Sequence, residues 1–186
     1  RLLWVAGAFS LASSSLAFPL LYVSRVGFTA AQVPLVYFGY NLVYAVLSWP
    51  IGELSDRIGR RPMLLLAYLL FAAVYGAMAS TRLPVGVVAA FLALGVHSAL
   101  LEGSQRTLVA DLVVPERRAT AFGLYYTVVG LALLPASALA GWLWDHFGPR
   151  LAFGLEAALA LLSAILFAVL LPIGRERVER HHAHAR

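Results

Sequence analysis

The sequence has no cysteine and no lysine, and only nine of its 186 residues are acidic. Without cysteine, disulfides and thiolate metal sites are excluded. Charged residues make up 12% of the chain, about half of what a soluble domain carries, so an ordinary soluble fold is excluded. No G-x-x-x-x-G-K-[ST] loop occurs, so a nucleotide bound by such a loop does not drive this protein.

What the sequence has instead is long apolar runs, with 61% hydrophobic residues. A helix needs about 20 mostly apolar residues to cross the hydrocarbon core. Six segments meet this length, at roughly 2–23, 33–51, 63–80, 85–105, 119–143 and 151–172. They lack the alternation of barrel strands. We therefore predict an all-α membrane protein with six transmembrane helices in one bundle, residues 1–173, followed by a charged cytoplasmic tail, 174–186.

The distribution of arginine predicts the orientation of the bundle. Six spans place both termini and two connectors on one side, and that side carries eleven arginines: Arg1, Arg57, Arg60, Arg61, Arg106, Arg117, Arg118, Arg175, Arg177, Arg180 and Arg186. The other side carries three: Arg25, Arg82 and Arg150. Because arginine is enriched in cytoplasmic loops, we expect cytoplasmic termini in a multi-pass protein of the plasma (bacterial inner) membrane, in contact with membrane lipids. The arginines lie between apolar runs and form no patch for nucleic acid.

One charged motif occurs twice. Gly52, Leu54, Asp56, Gly59 and Arg61 in the connector "GELSDRIGRRP" recur 89 residues later as Gly141, Leu143, Asp145, Gly148 and Arg150. The first copy follows the second span and the second copy follows the fifth, which predicts two three-helix repeats, at about 1–80 and 85–173. Since three is odd, the second repeat is inverted relative to the first, as in secondary transporters.

"GELSDRIGRRP" resembles the signature loop of the major facilitator superfamily, G-x-L-[AS]-D-R-x-G-R-[RK]. The segment from Asp111 to Gly123 resembles the D-x-x-P-x-x-R-x-x-A-x-G connector of the same family. Together the two matches and the repeat cover nearly the whole chain. The resemblance implies alternating-access transport of a small molecule. The sequence places no nucleophile–base pair or metal cluster on one helix face, so we expect neither enzyme activity nor a cofactor or metal.

The chain differs from the family pattern in size, because such proteins have two halves of six helices. This sequence has one half and is more similar to the second, helices seven to twelve. The missing partner is then a lost N-terminal half, a separate chain or a second copy.

The resemblance also implies a role for the first motif as a conformational latch made of Gly52, Asp56, Arg57, Gly59, Arg60 and Arg61. Asp56 is expected to meet the N-terminus of a neighbouring helix, where the helix dipole favours a carboxylate. The arginines can pair with acidic neighbours, and the two glycines permit a tight turn and close helix approach. The alternative is a loop that only fixes topology.

Two groups of polar residues inside the spans are candidates for a transport path. The first is His97, Glu102 and Arg106 on the fourth span, where ionisable groups usually face a cavity or a partner. Glu102 is either a proton or substrate site or a structural partner of Arg106, and His97 either relays protons or bonds a neighbouring helix. Glu156 on the sixth span pairs with Arg150 or with another subunit.

The second group is aromatic: Tyr37, Tyr40, Asn41 and Tyr44 on the second span, with Tyr125 and Tyr126 on the fifth. They form either a cavity wall or hydrogen bonds between helices. Ser13, Ser14 and Ser15 mark either a break in the first span or a site of close packing. The leading function is therefore a secondary transporter, with proton coupling through Glu102 as a hypothesis. The alternative is a half-bundle that acts as a membrane subunit or scaffold.

Overall fold

The structure is a computed structural model that describes residues 2–111 and 113–170. It contains seven α-helices within those residues: α1 (Leu2–Ala12), α2 (Ala17–Arg25), α3 (Val33–Ile58), α4 (Arg60–Ser80), α5 (Pro84–Asp111), α6 (Arg118–Phe147) and α7 (Pro149–Leu170). A 3₁₀ turn, Pro115–Arg117, precedes α6.

Six stretches are long and apolar enough to cross a membrane, which confirms the predicted fold class. The first, Ala6–Arg25, spans both α1 and α2, and the others correspond to α3, α4, α5, α6 with its 3₁₀ turn, and α7. The predicted tail, 174–186, lies outside the described residues.

The first span is broken at its serines. Residues between Ala12 and Ala17 are not helical, so of the two interpretations of Ser13 to Ser15 the break is correct. The backbone N–H of Ser15 donates to Ser137 Oγ on α6 at 3.2 Å. A backbone group freed by the break is thus satisfied by a neighbouring helix, as the hydrocarbon interior demands.

Contacts between helices give their relative directions. Tyr40 and Tyr44 on α3 bond Ser98 and Glu102 on α5, and both pairs are 58 residues apart. A constant separation means that α3 and α5 run in the same direction. On the other side of the bundle, Ser15 meets Ser137 and Phe18 lies near Gly141, at nearly equal separations, so the first span runs parallel to α6.

These directions establish the inverted repeat. The second helix of the first unit, α3, packs along the first helix of the second unit, α5. In the same way, the second helix of the second unit, α6, packs along the first helix of the first unit, α1. Because α5 is parallel to α3 and α3 follows the first span after a turn, the second unit begins in the direction opposite to the first. The third helices of the two units, α4 and α7, pack against each other.

The core lies between α4 and α7 and is rich in aromatic rings. Tyr68, Tyr75, Phe153 and Phe167 are almost completely buried there, and edge-to-face contacts join Tyr68 to Phe167 and Tyr75 to Phe153. By contrast, the most apolar 18-residue stretch of α3 contains no buried residue. In the corresponding stretch of α6, only 11% of the residues are buried. Two of the six spans therefore present most of their surface to lipid or to another protein.

The charged connector is shorter than the sequence indicates. Helix α3 continues through the charges to Ile58 and α4 starts at Arg60, so Gly59 alone links them. The apolar run ends near residue 51, whereas the helix continues to Ile58, and Glu53, Asp56 and Arg57 on this extension are exposed. The prediction that Gly52 permits the turn is wrong, since Gly52 lies inside α3 and no atom would lie within 4 Å of an added Cβ.

Candidate functional site

A cavity of about 150 Å³ opens beside the break in the first span. Ser13 and Ser14 line it from the break, Tyr40 from α3, and His97 and Ser98 from α5. Phe71 and Tyr75 of α4 form an aromatic wall. Four spans thus bring hydroxyls, an imidazole and aromatic rings together inside the bundle, and this mixture can bind a small organic molecule through stacking and a few hydrogen bonds.

His97 is buried and is held on both sides. Its Nδ1 lies 2.9 Å from the carbonyl oxygen of Ala67 on α4, and its ring packs 5.1 Å from that of Phe71. The helix-bonding interpretation of His97 is therefore realised, while the same side chain also contributes to the cavity wall.

A short series of polar contacts joins α3 to α5. The Tyr40 hydroxyl lies 2.8 Å from Ser98 Oγ, and the Tyr44 hydroxyl donates to Glu102 Oε2 at the same distance. Arg106 Nη2 donates to that oxygen at 3.3 Å. Glu102 is therefore shared between a neutral donor on α3 and a cation on its own helix, and its side chain is 45% exposed.

The other predicted path residues on α3 lie outside this cavity. Asn41 donates to the carbonyl oxygen of Tyr37 on its own helix at 2.8 Å, which satisfies part of the amide without another span. Tyr37 is exposed and stacks on Tyr40 at 5.9 Å. The predicted stripe thus divides into Tyr40 and Tyr44, which face α5, and Tyr37, which lies on the surface.

The two tyrosines of α6 diverge. Tyr125 is buried and packs with Ala6 and Val109, whereas Tyr126 is 48% exposed. Neither lines the cavity. Adjacent helix residues point about 100° apart, so one tyrosine is buried and the other reaches the surface, although their ring centroids are 5.4 Å apart.

Three further polar groups lie at the centre of the bundle. Ser14, one of the three serines at the predicted break, and Ser98 line the cavity. Ser98 was not predicted, and its one signal in the sequence is that it follows His97. Glu156 on α7 is buried, and its Oε2 has no hydrogen-bond partner in the part of the chain that the structure describes. Arg150 does not pair with it but donates to the Ala79 carbonyl oxygen at 3.2 Å.

The predicted latch forms an ionic contact between three elements. Arg60 at the start of α4 lies 3.4 Å from Asp56 on α3 and 2.9 Å from Asp111 at the end of α5. Arg60 is 15% exposed, whereas the Asp56 side chain is 71% exposed. One partly buried guanidinium therefore connects the two family motifs, and Asp56 keeps most of its surface free. Arg57 is exposed and Arg61 is half-buried.

The two copies of the motif have the same backbone form. Gly59 has φ 108° and ψ 153°, and Gly148 has φ 83° and ψ 171°. This region is open essentially to glycine alone, so each glycine ends one helix and starts the next. Gly141, like Gly52, lies within a helix, and Asp145 is exposed.

Comparison with known proteins agrees with this architecture. The family model of the Major Facilitator Superfamily matches residues 3–186. This chain belongs to the major facilitator superfamily. An uncharacterized MFS-type transporter of Methanocaldococcus jannaschii is 40% identical over 131 residues, which cover 70% of this chain and 33% of the relative.

Two other superfamily relatives are named for drug resistance. A multidrug resistance protein of Cronobacter sakazakii is 30% identical over 83% of this chain and 39% of its own length. A multi-drug resistance efflux pump of Streptococcus pneumoniae is 28% identical over 89% of this chain and 43% of its own length. The chain thus spans less than half the length of each superfamily relative that it matches here.

Proposed function

We propose that this chain is one six-helix half of a secondary transporter that moves a small solute by alternating access. The observation that carries the proposal is the cavity at the break of the first span, lined by polar and aromatic groups from four spans. Discontinuous helices that meet near the middle of a bundle are typical of substrate sites in secondary transporters. Tyr40, His97 and Ser98 would contact the solute.

The second six-helix half would pack on α3 and α6. These spans bury little of their apolar surface and are the second helices of the two inverted units. One of them, α3, also lines the cavity through Tyr40, so a partner on this surface would lie next to the cavity. The resemblance favours this chain as the second half, helices seven to twelve. Its partner would be an N-terminal half, a separate chain or a second copy.

The latch would operate at this junction. Asp56 is largely exposed while Arg60 is held by two carboxylates, so Asp56 can exchange Arg60 for the N-terminus of a helix in the second half. The helix dipole would stabilise the carboxylate there by about 0.3–1 kcal/mol. An interaction of this size suits a contact that forms and breaks in each cycle.

We further propose that Glu102 couples transport to protons. It lies inside a predicted span and shares Oε2 between Tyr44 and Arg106. A carboxylate with two alternative partners can lose one of them when the helices rock. Protonation would weaken the contact with Arg106 and leave the contact with Tyr44 on α3.

Ethidium is a suitable first probe, because two relatives are named for multidrug resistance and the cavity has aromatic walls. The full chain, alone and with a separately expressed second half, is reconstituted in liposomes with an imposed pH difference. We expect ethidium movement that depends on the pH difference, and Glu102→Gln should remove that dependence. Glu116→Gln, an exposed acid before α6, is the matched control and should behave as the wild type.

Two results would count against these proposals in different ways. If Glu102→Gln retains pH-driven movement, Glu102 is a structural partner of Arg106 and coupling lies elsewhere. If the wild type moves no ethidium or other tested solute under any pairing, the chain is better described as a scaffold subunit.

A further inference from the structure

A second, larger cavity lies at the end of the bundle opposite the latch. Its volume is about 370 Å³, and Arg25, Arg82 and Arg150 line it together with the loop at Gly148 and Pro149. Helix α4, with 21 residues, separates it from Gly59 by about 30 Å at 1.5 Å per residue. The three arginines are far apart in sequence: Arg25 ends α2, Arg82 lies between α4 and α5, and Arg150 is the second residue of α7.

These three are all the arginines that the charge asymmetry assigns to the external side. Within residues 2–111 and 113–170, no carboxylate lies within 4.0 Å of any of them. At the latch, by contrast, Arg60 has two carboxylate partners. Asp145 is exposed near the same end of α6, but it does not line the cavity. The cavity therefore collects three arginines that no described carboxylate pairs with.

Two of the arginines are held in place by uncharged groups. The guanidinium of Arg25 lies over the Trp144 ring, 4.9 Å from its centroid. Arg150 donates to the carbonyl oxygens of Ala79 and Ser80 at the end of α4, at 3.2 and 3.5 Å. Each guanidinium has five N–H donors, so both retain donors for a ligand.

Arg82 differs from the other two because it is exposed and makes no hydrogen bond or ion pair to the described residues. Its charge serves no fold contact there, although it lines the same cavity. Helix α7 begins at Pro149, also in the lining, so the positive end of a helix dipole adds to the potential.

We propose that this cavity binds a phosphate-type oxyanion, presented by a phospholipid headgroup or free in solution. Arginine forks match phosphate oxygens in pairs, and an anion would relieve the repulsion among three like charges. The alternative, that the arginines only reach separately toward water, predicts no shared ligand. The site is independent of the transport proposal, because it lies at the other end of the bundle from the latch and outside the central cavity.

Thermal unfolding of the full chain in detergent, followed by tryptophan fluorescence, tests the site. Dioleoylphosphatidylglycerol, dioleoylphosphatidylcholine and inorganic phosphate are titrated separately at constant ionic strength. We expect a rise of about 5 °C in the midpoint at saturation with one of the two anions and a smaller rise or none with the zwitterionic lipid. A response to phosphatidylglycerol alone identifies a lipid headgroup, and a response to inorganic phosphate identifies a free anion.

Arg82→Gln is the decisive variant, because Arg82 supports no fold contact in the described chain. It should unfold at the wild-type midpoint without ligand and lose most of the anion-induced rise. Arg117→Gln, which removes an exposed arginine beside α6 at the opposite end, should keep the full rise. The proposal is overturned if neither anion raises the midpoint, if phosphatidylcholine raises it equally, or if Arg82→Gln and Arg117→Gln respond alike.

Discussion

Gly95 is a point of close approach between α3 and α5. A Cβ at this position would lie 2.7 Å from the backbone carbonyl oxygen of Tyr40 and 3.1 Å from the Val43 side chain. The carbonyl belongs to the backbone of α3 and cannot rotate away. Close contact here sets the register that pairs Tyr40 with Ser98 and Tyr44 with Glu102.

Gly95→Ala should therefore separate α3 from α5 and lower the free energy of unfolding by about 1–3 kcal/mol, the usual cost of overpacking. Gly103→Ala is a control on the same helix, because no atom would lie within 4 Å of its Cβ. There alanine should stabilise the helix by about 0.5–1 kcal/mol. Denaturant titration in mixed micelles measures both, and equal effects of the two variants would contradict the packing role of Gly95.

The polar contacts show why sequence predicts candidate residues better than it predicts their contacts. A tyrosine or an acid inside an apolar run is visible in the sequence, and so Tyr40, Tyr44, Glu102 and Arg106 were all identified. Which hydroxyl meets which carboxylate depends on the register between α3 and α5, and that register depends on Gly95. Ser98 was not identified because serine within a span is unremarkable until its partner is known.

At the scale of elements, the helix–glycine–helix junctions define both copies of the motif. Gly59 and Gly148 hold equivalent conformations at positive φ. After the first turn, Arg60 reaches the carboxylates of Asp56 and Asp111, and the position equivalent to Arg60 in the second copy is Pro149. After the second turn, Arg150, the counterpart of Arg61, reaches the carbonyl oxygens at the end of α4. The repeat thus keeps the turn, while the contacts made by the arginines after it come from different positions.

Gly59→Ala should cost about 1–3 kcal/mol of stability, because an L side chain is strained at φ 108° and ψ 153°. Gly52→Ala, within α3 and with open space around it, should leave stability unchanged or slightly higher. The thermal unfolding midpoints of the two variants in detergent check this. Similar loss in both would mean that Gly52 also serves the turn, as the sequence had indicated.

Helix existence was predictable here, but helix ends were not. Apolar length identified all six spans because only helices of that length satisfy the backbone in hydrocarbon. Hydropathy reports where an apolar run ends, and α3 extends beyond that point to Ile58 while α5 extends to Asp111. These extensions bring Asp56, Arg60 and Asp111 together, so the ionic contact at the latch was outside the reach of a hydropathy argument.

At the scale of the whole molecule, the inverted repeat gives the two ends of the bundle different chemistry. One end places Arg60 between carboxylates, and the other places three arginines around an open cavity without one. Inversion puts the two motif copies at opposite ends, so their arginines face different environments. The end with Arg60 is also the end to which the sequence assigns eleven of the fourteen arginines, and the end with the cavity has the other three.

The orientation can be tested directly because the chain has no cysteine, so a single introduced thiol is the only one to label. Leu83→Cys lies in the α4–α5 connector and Glu116→Cys before α6, and both positions are exposed. With cytoplasmic termini, a membrane-impermeant maleimide should label Leu83→Cys in intact cells and Glu116→Cys only after permeabilisation. Ala160→Cys, in the core, should stay unlabelled in both cases.

The opposite labelling pattern of the two connector thiols would reverse the assigned orientation. Labelling of both connector thiols from one side would contradict the inverted repeat, because α5 and its antiparallel neighbours require these connectors to lie on opposite faces.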